Sequence, residues 1–240
     1  MMSRPERILC VDDDRLVRDT LERMLASLGL DVLCVEHGRQ CIEEFENAGG
    51  AYDFVLVNYD MPEMDGAEVV RRLVQKTTPA RIAITSAYPE TTVFEAIPRE
   101  QVAGFLRKPY TIPLLRRFLR PRIESRSRRV LLAGFDRATS HAYSMALRRA
   151  ARGEPLAVDL FDSAAAALAA ASRSLSAVVV LELSGALLPP EVRLFREEEI
   201  PLIFVCDHPQ GSGTELSRYG EVVERPPEGG DLLERIRRLG

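Results

Sequence analysis

The feature that most constrains this chain is a short, unbroken apolar run at residues 54–57, FVLV, which ends abruptly at Asn58. Apolar side chains at every position, rather than at alternate ones, are typical of a strand buried on both faces of a parallel sheet. In such sheets the functional groups lie just beyond the carboxyl ends of the strands, where the loops open into a crevice. We therefore expect Asn58 to lie at the functional edge of this domain.

The same pattern recurs through the first half of the chain, with strands alternating with segments of helical periodicity. Pro98 limits the fourth helix, because proline lacks a backbone donor and disfavours helix at the residue before it. Strands that alternate with helices predict an α/β domain with a parallel sheet covered on both faces. The predicted strands are 7–11, 32–35, 54–57, 82–84 and 104–107, and the predicted helices are 16–28, 40–48, 67–74, 91–97 and 114–119.

Composition excludes several classes of protein. Hydrophobic residues make up 46% and charged residues 28%, which is typical of a globular protein. The net charge of -4 gives no electrostatic signal for nucleic acid. No apolar stretch is long enough for a signal peptide or a membrane span, so we expect a cytoplasmic protein. Its cysteines, Cys10, Cys34, Cys41 and Cys206, show no paired metal spacing and are interpreted as buried thiols in a reducing compartment.

Polar side chains follow four of the five predicted strands. Taken singly, each has an ordinary explanation: an acidic residue after a strand is often a helix N-cap, as we expect of Asp14, and a lysine before a proline is usually solvated. Their occurrence on successive strand ends indicates a shared site. The set comprises two carboxylates (Asp12, Asp13), an amide (Asn58), a hydroxyl (Ser86 or Thr85) and an ammonium (Lys108).

Residues 5–120 resemble the receiver domains of two-component response regulators. The resemblance rests on VDDD at 11–14, MPEMDG at 61–66, TSAY at 85–88 and GFLRKPY at 104–110, in this order and spacing. It implies a five-stranded flavodoxin-like sheet in the order 2-1-3-4-5, and an aspartate that takes a phosphoryl group from a histidine kinase with magnesium at the acidic pair. By position it implies the acidic pair Asp12 and Asp13, the reporting hydroxyl Ser86, the switch aromatic Phe105 and the phosphate-binding lysine Lys108.

One position departs from the family, and it is the acceptor. The acceptor aspartate of the family lies four residues before the proline of the MP motif, which is Asn58 here, counted back from Pro62. A neutral amide is a poor nucleophile. It also lacks the charged oxygen with which an aspartate at this position would bind the metal beside the acidic pair. We therefore expect weak Mg²⁺ binding at most and no required cofactor. Asp60 or an aspartate of the acidic pair is the alternative acceptor.

Asn58 can also be interpreted as a residue that stabilises the pocket. Three carboxylates in one pocket repel one another, and an isosteric amide relieves that repulsion while Lys108 still pairs with Asp12 or Asp13. The hypothesis is a pocket fixed in one conformation.

The second half predicts a degenerate receiver-like repeat at residues 129–240. Residues 121–128 are a linker or an extension of the last helix, and their arginines are interpreted as a solvated connector. VLLAGFDR at 130–137 matches ILCVDDDR at 8–15, and strands are predicted at 156–162, 177–181, 201–206 and 222–225. The helices are predicted at 141–151, 163–171 and 231–239.

Aligned with the first half, this repeat lacks the residues of a metal site. Gly134 and Phe135 stand where the acidic pair would be, Leu181 or Glu182 lies near the acceptor position, and Arg225 replaces the lysine. Glu182 is interpreted as a surface residue rather than as a mimic of a charged state. The segment 211–213, GSG, lacks the other residues of a phosphate loop and is interpreted as a turn.

The sequence therefore predicts two tandem flavodoxin-like domains that form a phosphorylation-independent signalling adaptor, a pseudo-receiver that is not an enzyme and carries no output domain. Expected partners are a histidine kinase, a response regulator or a downstream target, with no nucleic acid or membrane. The face made by the fourth helix, fifth strand and fifth helix is the expected surface for a homodimer. Val93, Phe94, Ile97 and Tyr110 either supply its apolar area or belong to the core. Besides the phosphoacceptor alternative, an aspartate-nucleophile phosphatase is disfavoured, because Arg15 and Leu16 follow the acids.

Overall fold

The computed structural model describes residues 5–77, 81–123, 128–152, 154, 156–183, 188–206, 216–225 and 229–239. The chain divides at Glu124–Ser125 into two compact units, here called the N-terminal and C-terminal domains. Within the described residues, none of the helices combines the length and the apolarity that crossing a bilayer requires.

The N-terminal domain is a parallel five-stranded sheet in the order β2-β1-β3-β4-β5, which confirms the predicted fold and strand order. Its elements are β1 (Arg7–Val11), α1 (Arg15–Ser27), β2 (Asp31–Val35), α2 (Gly38–Asn47), β3 (Phe54–Asn58), α3 (Gly66–Leu73), β4 (Ile82–Ser86), α4 (Glu90–Ala96), β5 (Gly104–Arg107) and α5 (Ile112–Leu119).

Local sequence fixes where these helices begin and end. The Asp14 side chain accepts hydrogen bonds from the backbone N–H groups of Leu16 and Val17, which makes it the N-cap of α1 as predicted. Asp65 caps α3 in the same way. After α1 the chain turns at Gly29, whose φ of 83° is the left-handed conformation that glycine adopts without a steric cost.

The central strand β3 organises the core. All five of its residues are buried, as the unbroken apolar run predicts. Apolar side chains from β1, β4, α2 and α3 pack with β3 into one cluster. Asn58 is the last residue of this strand, so the core itself fixes its place at the sheet edge.

Gly66 lies where the loop after β3 returns against that strand. A Cβ there would come within 2.4 Å of the Asn58 carbonyl oxygen and 2.8 Å of the Tyr59 Cα, both of them backbone atoms that cannot rotate away. We expect Gly66→Ala to destabilise the N-terminal domain by about 2 kcal/mol or more, as overpacking does. Urea denaturation measures the loss. Gly230→Ala is the matched control, because a Cβ at Gly230 meets nothing within 4 Å; an equal loss in both variants would contradict the steric argument.

The C-terminal domain has the same topology, with strands in the order β7-β6-β8-β9-β10, all parallel. The prediction of two tandem flavodoxin-like sheets is therefore confirmed. Its described elements are β6 (Arg128–Ala133), α6 (Arg137–Ala150), β7 (Leu156–Phe161), α7 (Ala164–Ala171), β8 (Ala177–Glu182), α8 (Val192–Glu197), β9 (Leu202–Cys206), β10 (Glu221–Glu224) and α9 (Gly229–Leu239).

Some sequence predictions for this half need correction or lie outside the structure. The helix α8 was not predicted, because it is short and buries only Val192 and Phe195, too few positions to define a period. The last helix of the N-terminal domain, α5, ends at Leu119, and the chain turns at 120–122. The segment 211–213 lies outside the described residues.

Candidate functional site

The polar residues predicted at the strand ends converge in the N-terminal domain. Asp12 directly follows β1, Asn58 ends β3, Ser86 ends β4 and Lys108 directly follows β5. Although these side chains are polar, Asp12, Asn58 and Ser86 are only 2%, 5% and 1% exposed. Buried polar groups are retained when they find hydrogen-bond partners. We call this group, together with Asp13, the strand-end pocket.

The side-chain amide of Asn58 makes most of the hydrogen bonds that connect the pocket. Its Nδ2 donates to Asp13 Oδ1 at 3.0 Å and to the Asp60 carbonyl oxygen at 2.7 Å. Its Oδ1 accepts from Lys108 Nζ at 3.0 Å. The network fixes the orientation of the amide, because the reversed orientation would set Nδ2 against the ammonium and Oδ1 against two acceptors. Every polar atom of the Asn58 side chain is therefore engaged.

Lys108 also pairs with Asp12, which decides between the two pairings that the sequence left open. The distance from Lys108 Nζ to Asp12 Oδ2 is 2.5 Å, and the backbone N–H of Asp14 donates to Asp12 Oδ1 at 3.1 Å. Burial raises the pKa of Asp12 above its ordinary value, and the hydrogen bond and charge of Lys108 oppose that rise without cancelling it. Ionisation of Asp12 therefore costs more free energy in the folded protein than in the unfolded chain.

That direction predicts a pH-dependent effect of Asp12→Asn. Because the folded pKa lies above the unfolded one, the folded state binds more protons between the two values and the contribution of Asp12 to stability falls as the pH rises through this window. We expect the Tm of Asp12→Asn, measured relative to that of the wild type, to increase as the pH rises from below the ordinary aspartate value of 3.8 towards 7. Thermal unfolding followed across pH measures it. A difference in Tm between the variant and the wild type that does not change with pH would contradict the argument; Asp19→Asn, at a side chain that is 46% exposed, is the control.

Arg18 holds the acidic pair in place and was not identified from the sequence. Its Nη1 donates to the carbonyl oxygens of Asp12 and Asp13, at 2.7 and 2.8 Å, and its Nη2 lies 3.3 Å from Glu36 Oε2. It reaches these carbonyls because the first turn of α1 brings it back over the loop that precedes the helix. An arginine on a helix usually faces solvent, so spacing alone gave no signal for this contact.

The other predicted residues have their own partners. Ser86 Oγ accepts from the backbone N–H of Tyr88 at 3.0 Å. The ring of Phe105 packs edge to face against Phe94, with centroids 6.4 Å apart. The Tyr88 hydroxyl donates to Asp60 Oδ2, an oxygen of an exposed residue, at 3.5 Å. Tyr88 is a second residue that the sequence did not single out.

The donor set does not fit a hard divalent cation as it stands. Such a cation needs several oxygen ligands. Asp13 Oδ1 and the Asp60 carbonyl oxygen, which face the pocket, already accept the two N–H groups of Asn58. Among the described residues, no three His, Cys, Asp or Glu side chains form a group that could hold a metal.

Strand register identifies the corresponding positions in the C-terminal domain. Val57 lies opposite Val11, and Leu181 lies opposite Ala133, so Glu182 occupies the position of Asn58. Arg225 donates its backbone N–H to the Cys206 carbonyl oxygen as Lys108 does to Ser86. The choice between Leu181 and Glu182 is thus resolved in favour of Glu182.

Glu182 and Arg225 form an ion pair at this edge. The Glu182 side chain is only 7% exposed, so its interpretation as a surface glutamate was wrong. Gly134 stands where Asp12 does, and a Cβ there would approach the Glu182 carbonyl oxygen to 3.2 Å. Phe135 stands in place of Asp13 and stacks edge to face on Tyr143. A carboxylate paired with a guanidinium therefore stands where the N-terminal domain has Asn58 and Lys108.

The face formed by α4, β5 and α5 carries a groove of about 480 Å³. Of the four side chains that were assigned either to this face or to the core, Val93, Ile97 and Tyr110 are core residues, at 8% exposure or less, and Phe94 is partly buried. The groove is lined by the apolar Phe105, Leu106, Leu114 and Phe118, by the basic Arg107, Arg117 and Arg122, and by one acidic residue, Glu90. The surface is therefore both apolar and positively charged.

Comparison with known proteins identifies the N-terminal half. The family model for the response regulator receiver domain matches residues 8–120. Response regulator MprA of Mycolicibacterium vanbaalenii is 33% identical over 115 residues, which are 45% of this chain and 46% of MprA. Sensor kinase CckA of Brucella abortus is 32% identical over 108 residues, or 45% of this chain and 11% of CckA. The chain thus spans less than half the length of these curated relatives.

Among solved structures, the receiver domain of the Pseudomonas aeruginosa sensor histidine kinase PA1611, with magnesium in its active-site cleft, is similar to this chain. The identity is 27% and the TM-score 0.46, over 51% of this chain and all of that domain. The C-terminal domain lies outside the family match.

Proposed function

We propose, from the premise that residues 8–120 form a response-regulator receiver domain, that this chain is a two-component signalling adaptor that works without accepting a phosphoryl group. The observation that carries the proposal is the hydrogen-bonding of Asn58. At the acceptor position of the domain stands an amide whose three hydrogen bonds join Asp13, Asp60 and Lys108. Each polar atom of this amide therefore has a hydrogen-bond partner within the protein, and no phosphoryl group is needed to supply one.

The chemistry of the amide supports this proposal. Its nitrogen lone pair is delocalised into the carbonyl and its oxygen is neutral, so neither atom attacks phosphorus as a carboxylate does. Its N–H groups occupy the oxygens that a magnesium ion would require, which supports a domain that needs no metal. We infer from this that the chain is not an enzyme.

The basic, apolar groove on the α4-β5-α5 face supports function by docking. Phe105, Leu114 and Phe118 offer apolar area, and the exposed Arg107 offers charge to an acidic partner. Matching regions occur in a protein named as a sensor kinase and in one named as a response regulator, so we propose partners of these two kinds, or a target downstream of them, in the cytoplasm. Pairing of two copies through this groove is the homodimer we propose.

Incubation with acetyl phosphate and Mg²⁺, followed by intact mass spectrometry, tests the proposal. We expect no phosphoryl-sized mass gain for the wild-type chain. A gain that persists in Asn58→Ala but is lost in Asp60→Ala would overturn the proposal and establish Asp60 as the acceptor. The Asp60 carboxylate is engaged by the Tyr88 hydroxyl, and only its main-chain carbonyl contacts Asn58, which favours the first result. In the native cell, Asp60→Ala is expected to leave signalling output unchanged.

A further inference from the structure

A pair of cysteines lies behind the strand-end pocket and plays no part in the function proposed above. Cys10 on β1 and Cys34 on β2 are direct register partners in neighbouring parallel strands. Residues in register on adjacent parallel strands point to the same face of the sheet. We propose that Cys10 and Cys34 form a disulfide on exposure to a peroxide, which makes the pair a redox-modification site.

The spacing of the sheet brings the two thiols within bonding reach. Neighbouring strands lie about 4.8 Å apart, inside the range of roughly 4.4–6.8 Å that Cα atoms span across a disulfide. Because Cys10 and Cys34 are direct register partners, an S–S bond requires their two Sγ atoms to approach one another across neighbouring strands of one sheet.

The two thiols are unequal, which sets the order of events. Cys10 is 1% exposed, whereas Cys34 is only partly buried. The susceptibility of a thiol to a peroxide follows its exposure. A peroxide therefore reaches Cys34 first, and Cys10 resolves the product.

The chemistry balances with the peroxide as the sole oxidant. The Cys34 sulfur attacks one peroxide oxygen, an S–O bond forms as the O–O bond breaks, and the departing oxygen leaves as water with the thiol proton. Cys10 then attacks the sulfur of this sulfenic acid, the S–S bond forms, and the hydroxyl leaves as a second water with the Cys10 proton. Two thiols are oxidised and one peroxide is reduced to two waters.

Oxidation would reach the strand-end pocket through Arg18. In the reduced protein the Cys34 thiol donates to the Arg18 carbonyl oxygen, with the sulfur 3.8 Å away. The guanidinium of the same residue donates to the Asp12 and Asp13 carbonyl oxygens. A disulfide removes the thiol proton and draws Cys34 towards Cys10. The turn of α1 that carries Arg18 loses an anchor, and the support of the acidic pair loosens.

The chain supplies its own controls for the experiment. Treat the folded protein with hydrogen peroxide, alkylate it under denaturing conditions and measure its intact mass. We expect two of the four thiols to escape alkylation in the wild type. The same loss is expected in Cys41→Ala and Cys206→Ala, which remove the buried cysteines of α2 and β9. Cys34→Ser is expected to retain every remaining thiol, and peptide mapping of the wild type is expected to show Cys10 linked to Cys34.

Several outcomes would overturn the inference. These are full alkylation of the wild type, a loss that persists in Cys34→Ser, or Cys34 carrying added oxygen with no link to Cys10. Hydrogen–deuterium exchange tests the connection to the pocket. We expect faster exchange at residues 12–18 in the oxidised protein, and unchanged exchange there would overturn the coupling through Arg18.

Discussion

Asn58→Asp is expected to convert the strand-end pocket into one that binds Mg²⁺ and accepts a phosphoryl group. The substitution replaces the N–H donors to Asp13 and to the Asp60 carbonyl with a charged oxygen, so those two oxygens become available to a cation. We expect Mg²⁺ affinity to rise roughly tenfold or more, equivalent to about 1.4 kcal/mol. With acetyl phosphate and Mg²⁺, the variant should show a phosphoryl-sized mass gain that the wild type lacks.

The same variant should be less stable without the metal. Asp12, Asp13 and the new carboxylate then share one pocket with the single ammonium of Lys108, and like charges at this distance repel. We expect a loss of about 1–2 kcal/mol in urea denaturation, recovered as Mg²⁺ is added, because a ligand that binds only the folded state stabilises it.

The control for Asn58→Asp makes the identical chemical change elsewhere. Asn47→Asp alters the only other asparagine of the chain, an exposed residue at the end of α2. It should change neither Mg²⁺ affinity nor phosphodonor reactivity. If Asn58→Asp gains neither property, the assignment of Asn58 to the acceptor position is wrong.

Arg225→Met is expected to cause a large loss of stability in the C-terminal domain. It removes the cationic partner of Glu182, whose side chain is 7% exposed, and leaves that charge buried and unbalanced. Breaking a fully buried ion pair on one side costs about 3–5 kcal/mol. Because Arg225 is itself 28% exposed, water partly compensates, and we expect about 2–3 kcal/mol. Urea denaturation gives the value, and hydrogen–deuterium exchange attributes it to the C-terminal domain.

Two further variants distinguish the loss of a buried ion pair from the loss of a positive charge in general. Arg129 pairs with Asp159, but these side chains are 40% and 38% exposed, so Arg129→Met should cost less than about 1 kcal/mol. Combining Arg225→Met with Glu182→Leu removes both charges, and we expect it to restore most of the lost stability. Equal losses in the two single variants would contradict a buried pair.

Most of the fold could be predicted because hydrophobic pattern and topology determine it. The unbroken apolar run before Asn58 predicted a buried central strand. The alternation of strands and helices then predicted a parallel sheet, and the structure has both. The short helix at Val192 gave no period to detect. The sequence did not decide whether Val93 and Ile97 face the core or a partner, because an apolar helix residue gives the same signal in both cases; the structure buries both.

The residues of the strand-end pocket were predictable as a set, but the hydrogen bonds among them were not. Parallel strands bring their carboxyl ends to one edge, so Asp12, Asn58 and Lys108 had to lie near one another. Which oxygen each donor reaches depends on rotamers and loop paths. The clamp from Arg18 and the burial of Glu182 are both long-range contacts of flexible side chains, and sequence spacing does not encode these.

The two domains have separate hydrophobic cores, one around β3 and others around β6 and β8. We expect each core to melt in its own step, so heating should absorb energy in two steps, and the total calorimetric enthalpy should exceed the van't Hoff value derived from either step. Substitutions at residue 58 and at residue 225 should then shift different peaks of one calorimetric trace, so that each domain has its own melting temperature.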